Sequence, residues 1–152
     1  MMKNSNLVVD FLDDEKEMVR ADINVLVLMS FHEDFDNVYW FGIRGGIKDA
    51  GMYCNRIDDF YFVGNVLVEI NEQIQDADVI VAEITGSNPN VLYEVGIAHT
   101  LKKLTILLVQ NVDDIPFDLS MHNHLVYNPR NIKGLRERLA ELLKAVTKKI
   151  WN

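Results

Sequence analysis

The sequence has one cysteine, three prolines and no long apolar run. Cys54 cannot form an internal disulfide by itself, and a chain without disulfides suits a reducing compartment. No apolar stretch approaches the roughly 18 residues that a membrane-spanning helix needs. The N-terminal stretch MMKNSNLVVDFLDDEKEM also lacks the basic start and the apolar core of a signal peptide. These absences predict a soluble, cytoplasmic protein.

Positive charge is also scarce. The 15 Lys and Arg residues stand against 23 Asp and Glu residues, which gives a formal net charge of −8. Binding to duplex DNA or to anionic lipid depends on Lys and Arg that neutralise phosphates. We therefore expect no membrane partner and no direct contact with nucleic acid.

The length and composition that remain are those of one globular domain. The chain has 152 residues, of which 49% are hydrophobic and 25% charged, so it can bury a core. We divide it into an N-terminal arm at 1–22 and a domain at 23–152. The arm contains the apolar stretch LVVDFL at 7–12, which either packs as a short element or mediates subunit contact.

Apolar β-type runs alternate with helical patterns along the domain. The predicted strands are 23–29, 52–57, 78–84, 104–110 and 124–128, and the predicted helices are 35–51, 66–77, 90–103 and 131–149. Nearly continuous apolar strands separated by helices indicate a parallel sheet that is covered on both faces. With right-handed crossovers, the predicted fold is a flavodoxin-like, doubly wound α/β sandwich with five mainly parallel strands.

Three glycines interrupt the first helical pattern. Gly42, Gly45 and Gly46 would each cost about 1 kcal/mol inside a helix. They indicate either a bend or a close approach of another element.

The stretch ADVIVAEITGSNPNVLYEVGIAH places one carboxylate, Glu94, close to the carboxyl end of the third strand. Ligands of open α/β sheets bind at that edge. Glu94 is either a solvated charge that is favourable near a helix N-terminus or part of a ligand site. The small residues Gly96 and Ala98 and the preceding polar turn, with Thr85, Ser87, Asn88 and Asn90, favour a site.

The same stretch resembles the signature of the nucleoside 2-deoxyribosyltransferase-like superfamily. This group includes the deoxynucleoside 5′-monophosphate N-glycosidases, with TIR domains as distant structural relatives. VLVLMSFHEDFDNVY, CNRIDD, GNVLVEINEQIQDADVIVAEITG and DIPFDL also resemble family segments, so the similarity covers about residues 23–128. YEVGIAH with the preceding NPN is its most specific part.

The resemblance implies cleavage or transfer at the N-glycosidic bond of a nucleoside, a nucleotide or an NAD-like substrate. The glutamate at the position of Glu94 would attack or stabilise the anomeric carbon, where positive charge develops. It further implies no cofactor, no metal and a homodimer or higher oligomer. The alternative is a non-catalytic module that senses nucleotides or self-assembles in the manner of TIR domains.

Further residues are predicted to bind the substrate. Asn88 and Asn90 would hold the sugar, and Ser30 with the helix N-terminus at 90–93 would hold phosphate. The substrate-binding residues that we predict are Ser30, Phe31, Arg56, Asp58, Gly86, Asn88, Asn90 and Tyr93.

The chain departs from the family pattern at three positions. Asn88 stands where the transferases have an acidic or hydroxyl residue, and Ile70 stands where relatives have an aspartate. The relatives also have an aromatic residue in the first loop, and its nearest counterpart here is Phe31, which lacks a phenol hydroxyl. These departures leave hydrolysis of another N-glycoside, including NAD, open.

Three other groups bear on the site. Glu83, near the end of the third strand, either faces the site or is paired within the sheet. His32 is interpreted as an exposed loop residue, and His99 as a core or helix-packing residue. His122 and His124 have no Cys or third His nearby in the sequence, which argues against a metal site.

Overall fold

The computed structural model describes residues 22–57 and 66–151. The predicted arm, except for its last residue Asp22, lies outside the described residues. The predicted site residue Asp58 lies outside them as well. None of the described helices combines the length and the apolar character that a membrane crossing needs.

Five parallel strands form one sheet. They are β1 (Asn24–Leu28), β2 (Tyr53–Arg56), β3 (Val79–Glu83), β4 (Leu104–Val109) and β5 (Asn123–Val126). Their order across the sheet is β2-β1-β3-β4-β5, and every neighbouring pair is parallel. The predicted fold class is confirmed, and the sheet is wholly parallel.

In the part of the chain that the structure describes, four α-helices cover this sheet: α1 (Arg44–Asp49), α2 (Val66–Asp76), α3 (Pro89–Thr100) and α4 (Ile132–Trp151). On one face, residues such as Val25, Val27 and Val81 pack with α1 and α4. On the other face, residues such as Leu26 and Ile80 pack with α2 and α3. Alternate residues of β1, β3 and β4 therefore serve two separate cores, which explains why the sequences of these three strands are nearly continuously apolar.

The first helical segment is not one α-helix, contrary to the prediction for 35–51. A π-helix at Val38–Ile43 precedes α1. A Cβ atom on Gly46 would lie 2.9 Å from the backbone oxygen of Arg136, and one on Gly42 would lie 2.8 Å from Leu135. Of the two alternatives predicted for the glycines, the structure therefore shows a close approach, to α4.

The order of the strands creates a topological switch point. The chain passes from β1 to β2 on one side and later returns to β3 on the other side of β1. The helices that follow β1 and β2 consequently lie on opposite faces. A crevice opens where the carboxyl ends of β1 and β3 meet, and in open α/β sheets this is the expected ligand site.

Candidate functional site

A cavity of about 150 Å³ lies at this switch point, between the end of β1 and the start of α3. Its wall includes Ser30 and Phe31 after β1 together with Asn88, Asn90 and Glu94. Five of the predicted site residues are thus brought together. The remaining wall is apolar and consists of Val27, Leu28, Met29, Ile57 and Val91.

Asn88 positions the first turn of α3. Its side-chain oxygen accepts hydrogen bonds from the N–H groups of Asn90 (2.8 Å) and Val91 (3.4 Å), and its backbone oxygen accepts from Leu92 (3.0 Å). Pro89, at the first helical position, has no N–H. The first-turn donors of Asn90 and Val91 are therefore engaged by the cap, which argues against the predicted phosphate role of this helix N-terminus.

The turn before Asn88 is fixed by a second loop. Gly86 (φ 79°) and Ser87 (φ 54°) adopt the left-handed conformation, which favours glycine at the first position. Asp114 holds both residues: its carboxylate accepts from the N–H of Gly86 at 2.9 Å, and its backbone oxygen accepts from the Ser87 hydroxyl at 3.1 Å. Asp114 was not found by sequence reasoning, because nothing in the sequence links it to the turn.

Thr85 is also occupied. Its backbone N–H and its hydroxyl each donate to the carboxylate of Glu83 at 2.7 Å, and its hydroxyl accepts from the N–H of Gln110. Among the polar turn residues, Thr85 and Ser87 therefore support the backbone. Asn88 and Asn90 line the cavity.

Glu83 is paired within the fold and does not line the Glu94 cavity. It is 3% exposed and accepts a third hydrogen bond, from the hydroxyl of Tyr127 at 2.5 Å. Burial raises the pKa of Glu83, while the hydrogen bonds from Tyr127 and Thr85 oppose the rise. Burial and the neighbouring carboxylate likewise raise the pKa of Tyr127. Of the two alternatives predicted for Glu83, the structure therefore shows the one in which its carboxylate is paired within the fold.

Arg56 lies behind the cavity. Its guanidinium stands 4.7 Å from the ring centroid of Phe31 and 3.9 Å from that of Tyr39. Such cation–π stacking fixes both rings. Arg56 thus contacts a residue of the cavity wall, Phe31, and is not itself part of the wall.

Two further predicted residues lie away from the cavity. Gly86 shapes the turn that precedes it. Tyr93 is 59% exposed and lines a separate surface groove beside Asn71, Gly96 and Ile97. One residue along a helix rotates the side chain by about 100°, so Glu94 and its neighbour cannot share one direction.

The cavity wall contains one titratable side chain among the described residues, that of Glu94. Ile70, which stands where relatives have an aspartate, is buried in the core at 6% exposure. The adjacent Glu69 accepts a hydrogen bond from Gln73 along α2.

The histidines lie outside this cavity. His32 is exposed, as predicted, and caps the 3₁₀ turn Glu33–Phe35. His99 is exposed and not in the core; its Nδ1 lies 2.9 Å from Nε2 of His122. Burial and the proximity of His99 lower the pKa of His122. In the part of the chain that the structure describes, no group of three or more His, Cys, Asp or Glu side chains is placed to hold a metal ion.

Comparisons by sequence identify no relative: no protein-family model and no curated protein matches the chain. Solved structures do match. A diflavin flavoprotein A3 from Nostoc sp. aligns with a TM-score of 0.54 and 17% identity, over 83% of this chain and 93% of that one. The Vibrio vulnificus NanR protein complexed with ManNAc-6P aligns with a TM-score of 0.47 and 12% identity, over 87% of this chain and 51% of that one.

Only the fold follows from these similarities. The match to the flavoprotein, together with the strand order and the wholly parallel sheet, identifies a flavodoxin-like α/β fold.

Proposed function

We propose that the chain acts on the N-glycosidic bond of a nucleoside-like or NAD-like substrate, with Glu94 at the anomeric carbon. The observation that carries this proposal is the cavity at the switch point. It joins one carboxylate to the polar side chains of Ser30, Asn88 and Asn90. A sugar has several hydroxyl groups and one carbon at which positive charge develops, and this set of side chains suits both features.

The size of the cavity bears on which part of the substrate it encloses. Its volume of about 150 Å³ is below the range of about 300–1,000 Å³ that is usual for small-molecule sites. We therefore assign the cavity to the sugar and place the base outside it. A three-ring flavin is too large for this space, so we propose no flavin despite the likeness to a flavoprotein.

In the proposed reaction the bond between the anomeric carbon and the base nitrogen breaks, and its electron pair leaves with the base. The Glu94 carboxylate either stabilises the resulting oxocarbenium ion or attacks it to form a glycosyl ester. Water then supplies the oxygen of the new bond to the anomeric carbon, or a second base supplies a nitrogen. A base that is linked in a neutral nucleoside leaves as an anion and takes up the proton that the water or the second base releases. A base that is linked as a cation leaves as a neutral molecule, and that proton passes to solvent.

The leaving group decides between substrate classes. Glu94 is the sole titratable side chain in the wall among the described residues, so the wall offers no separate general acid. A base that departs from a cationic state, such as the nicotinamide of NAD, requires no such acid.

The same observation supports a second candidate function. Glycoside hydrolysis commonly uses two carboxylates, and the described wall supplies one. The alternative is therefore a module that binds the nucleoside part of a ligand without turnover, with Glu94 accepting a hydrogen bond from a sugar hydroxyl.

Release of free base separates these functions. Wild-type protein and Glu94→Gln are incubated with deoxynucleosides, deoxynucleoside monophosphates and NAD, and free base is measured by chromatography. Base from the wild type and at least about 100-fold less from Glu94→Gln is the expected result. Equal release by both forms would refute the role of Glu94. Saturable binding without release from any substrate would establish the binding module instead.

A further inference from the structure

A second and larger concave region lies at the same edge of the sheet, on the other face. It measures about 500 Å³ and begins where β4 and β5 end. Its wall is formed by Gln110, Val126, Tyr127, Asn128, Pro129, Asn131, Gly134, Leu135 and Arg138. We call it the β5–α4 cleft. Its volume is within the range of about 300–1,000 Å³ that is usual for small-molecule sites.

The inner wall of the cleft is held by a buried hydrogen-bond network. The hydroxyl of Tyr127 donates to the carboxylate of Glu83 and accepts from the side-chain amide of Gln110 at 3.1 Å. The backbone N–H of Gln110 in turn donates to Thr85. Tyr127 and Gln110 are thus positioned before any ligand arrives, and such preorganisation lowers the entropic cost of binding.

The charge of the cleft is opposite to that of the chain. Arg138 is the one charged residue that the described part of the chain contributes to the wall, whereas the whole chain has a formal net charge of −8. One guanidinium nitrogen of Arg138 donates to the backbone oxygen of Val126 at 2.8 Å, which fixes the planar group. A guanidinium has five N–H donors, so most of them remain for a ligand. A fixed guanidinium selects carboxylate or phosphate oxygens through paired hydrogen bonds.

The other walls indicate the rest of the ligand. Val126, Pro129 and Leu135 supply apolar contact, and Asn128 and Gln110 supply side-chain amide groups. A ligand that satisfies them has an oxyanion, a compact carbon skeleton and at least one further polar group.

We propose that the β5–α4 cleft is a binding site for a small organic oxyanion, either a carboxylate or a phosphate monoester. Its oxyanion binds Arg138, and its carbon skeleton packs against Val126 and Leu135. The site is separate from the Glu94 cavity: Tyr127 and Leu135 belong to the core under α1 and α4, whereas Val91 belongs to the core under α2 and α3. The proposal therefore does not depend on the proposed function.

Nuclear magnetic resonance titration tests this site. Uniformly ¹⁵N-labelled protein is titrated at constant ionic strength with isobutyrate, glycerol 3-phosphate and inorganic phosphate, with glycerol as the uncharged probe. We expect saturable shifts of the Gly134 amide and of the Arg138 side chain with at least one organic oxyanion, and none with glycerol. The carboxylate and phosphate arms show which oxyanion the cleft prefers.

Matched variants assign the binding. Arg138→Gln should weaken the binding of the oxyanion at least about tenfold, because paired charge-assisted hydrogen bonds are lost. Lys133→Gln removes the same charge from the same helix, but Lys133 lies on another groove with Phe41 and Arg136 and should bind as the wild type does. Glu94→Gln should also bind normally, which distinguishes this site from the proposed catalytic one.

Two results would overturn the proposal. One is the absence of saturable shifts at Gly134 with every oxyanion up to tens of millimolar. The other is equal binding by wild type and Arg138→Gln, measured after circular dichroism has shown that the variant is folded. Arg138→Lys provides a second check, since it keeps the charge but loses the paired geometry and should bind with intermediate affinity.

Discussion

Two glutamates lie at the same edge of the sheet, on opposite faces, in different environments. Glu83 ends β3, is 3% exposed and accepts three hydrogen bonds from Thr85 and Tyr127. Glu94 is half-buried and lines a cavity beside Asn88 and Ser30. Position at the carboxyl edge therefore does not by itself mark a site residue. The two carboxylates differ in their surroundings, because Glu83 is buried among the donors of Thr85 and Tyr127, whereas Glu94 is part of a cavity wall.

The largest difference should appear when each glutamate is truncated. Glu83→Ala leaves the buried hydroxyl of Tyr127 and two partly buried donors of Thr85 without their acceptor and removes buried atoms, so we expect a loss of about 2–4 kcal/mol in the free energy of unfolding. Glu94→Ala should cost less than about 1 kcal/mol, as is usual outside the core. Urea unfolding measures both. Equal losses would show that Glu94 is as structural as Glu83.

The hydroxyl of Tyr127 carries part of this difference. Tyr127→Phe removes the donor to Glu83 and the acceptor for Gln110, and we expect a loss of about 1–3 kcal/mol in the free energy of unfolding. Tyr93→Phe is the matched control, since Tyr93 is 59% exposed, and should change stability by less than about 0.5 kcal/mol. Thermal unfolding compares them. If Tyr127→Phe left the free energy of unfolding unchanged, the hydrogen bonds of Tyr127 would contribute nothing to stability.

On the Glu94 side, Asn88 combines a helix cap with a place in the cavity wall. Asn88→Ala should cost about 1 kcal/mol, because the amides of Asn90 and Val91 lose their acceptor. Asn88→Ser keeps a capping oxygen, so its free energy of unfolding should lie within a few tenths of a kcal/mol of the wild-type value. It lacks, however, the side-chain amide that we assign to the sugar. Weaker substrate binding with unchanged stability in Asn88→Ser would separate the two roles. Unchanged binding would remove Asn88 from the site.

The smallest effect concerns pH. Burial raises the pKa of Glu83 in the folded state above its unfolded value of about 4.3. The stability that this shift contributes is complete below the unfolded pKa and is lost as pH rises through the folded pKa. In Tyr127→Phe the pKa of Glu83 rises further, because a hydrogen bond to the carboxylate is gone, so the loss on raising pH should be larger.

Urea unfolding between about pH 4 and pH 8 tests this prediction. In Glu83→Ala this component of the pH dependence should be absent. A pH dependence that is identical in wild type and Glu83→Ala would contradict the raised pKa.

The sequence located the elements well because their signals are local. The run Val79–Glu83 is buried throughout, and its first four residues are apolar because both faces of the strand are covered. The helix predicted from residue 90 begins at Pro89, directly after the polar turn, because capping chemistry involves residues adjacent in the chain. The same local signals placed Glu94 and Asn88 at the edge of the sheet.

Other features depend on contacts between distant segments. α3 is apolar nearly all round, so its sequence did not show that Glu94 lines the cavity while Tyr93 points into a different groove. From the sequence alone, the polar side chains of Thr85 and Ser87 suited a ligand as well as those of Asn88 and Asn90. Their engagement with Glu83 and Asp114 follows from loops that meet only in the folded chain.

By itself, the sequence determined the alternation of buried strands and helices, and with it a parallel sheet that has Glu94 near its carboxyl edge. Apolar patterns and helix caps involve residues that are close together in the chain, so they can be recognised in the sequence. Only the tertiary structure decided that Glu83 is enclosed by Tyr127, that Asp114 holds the turn before Asn88, and that a β5–α4 cleft forms around Arg138. These outcomes depend on which face of each element meets which neighbour, and the packing of the whole domain settles that choice.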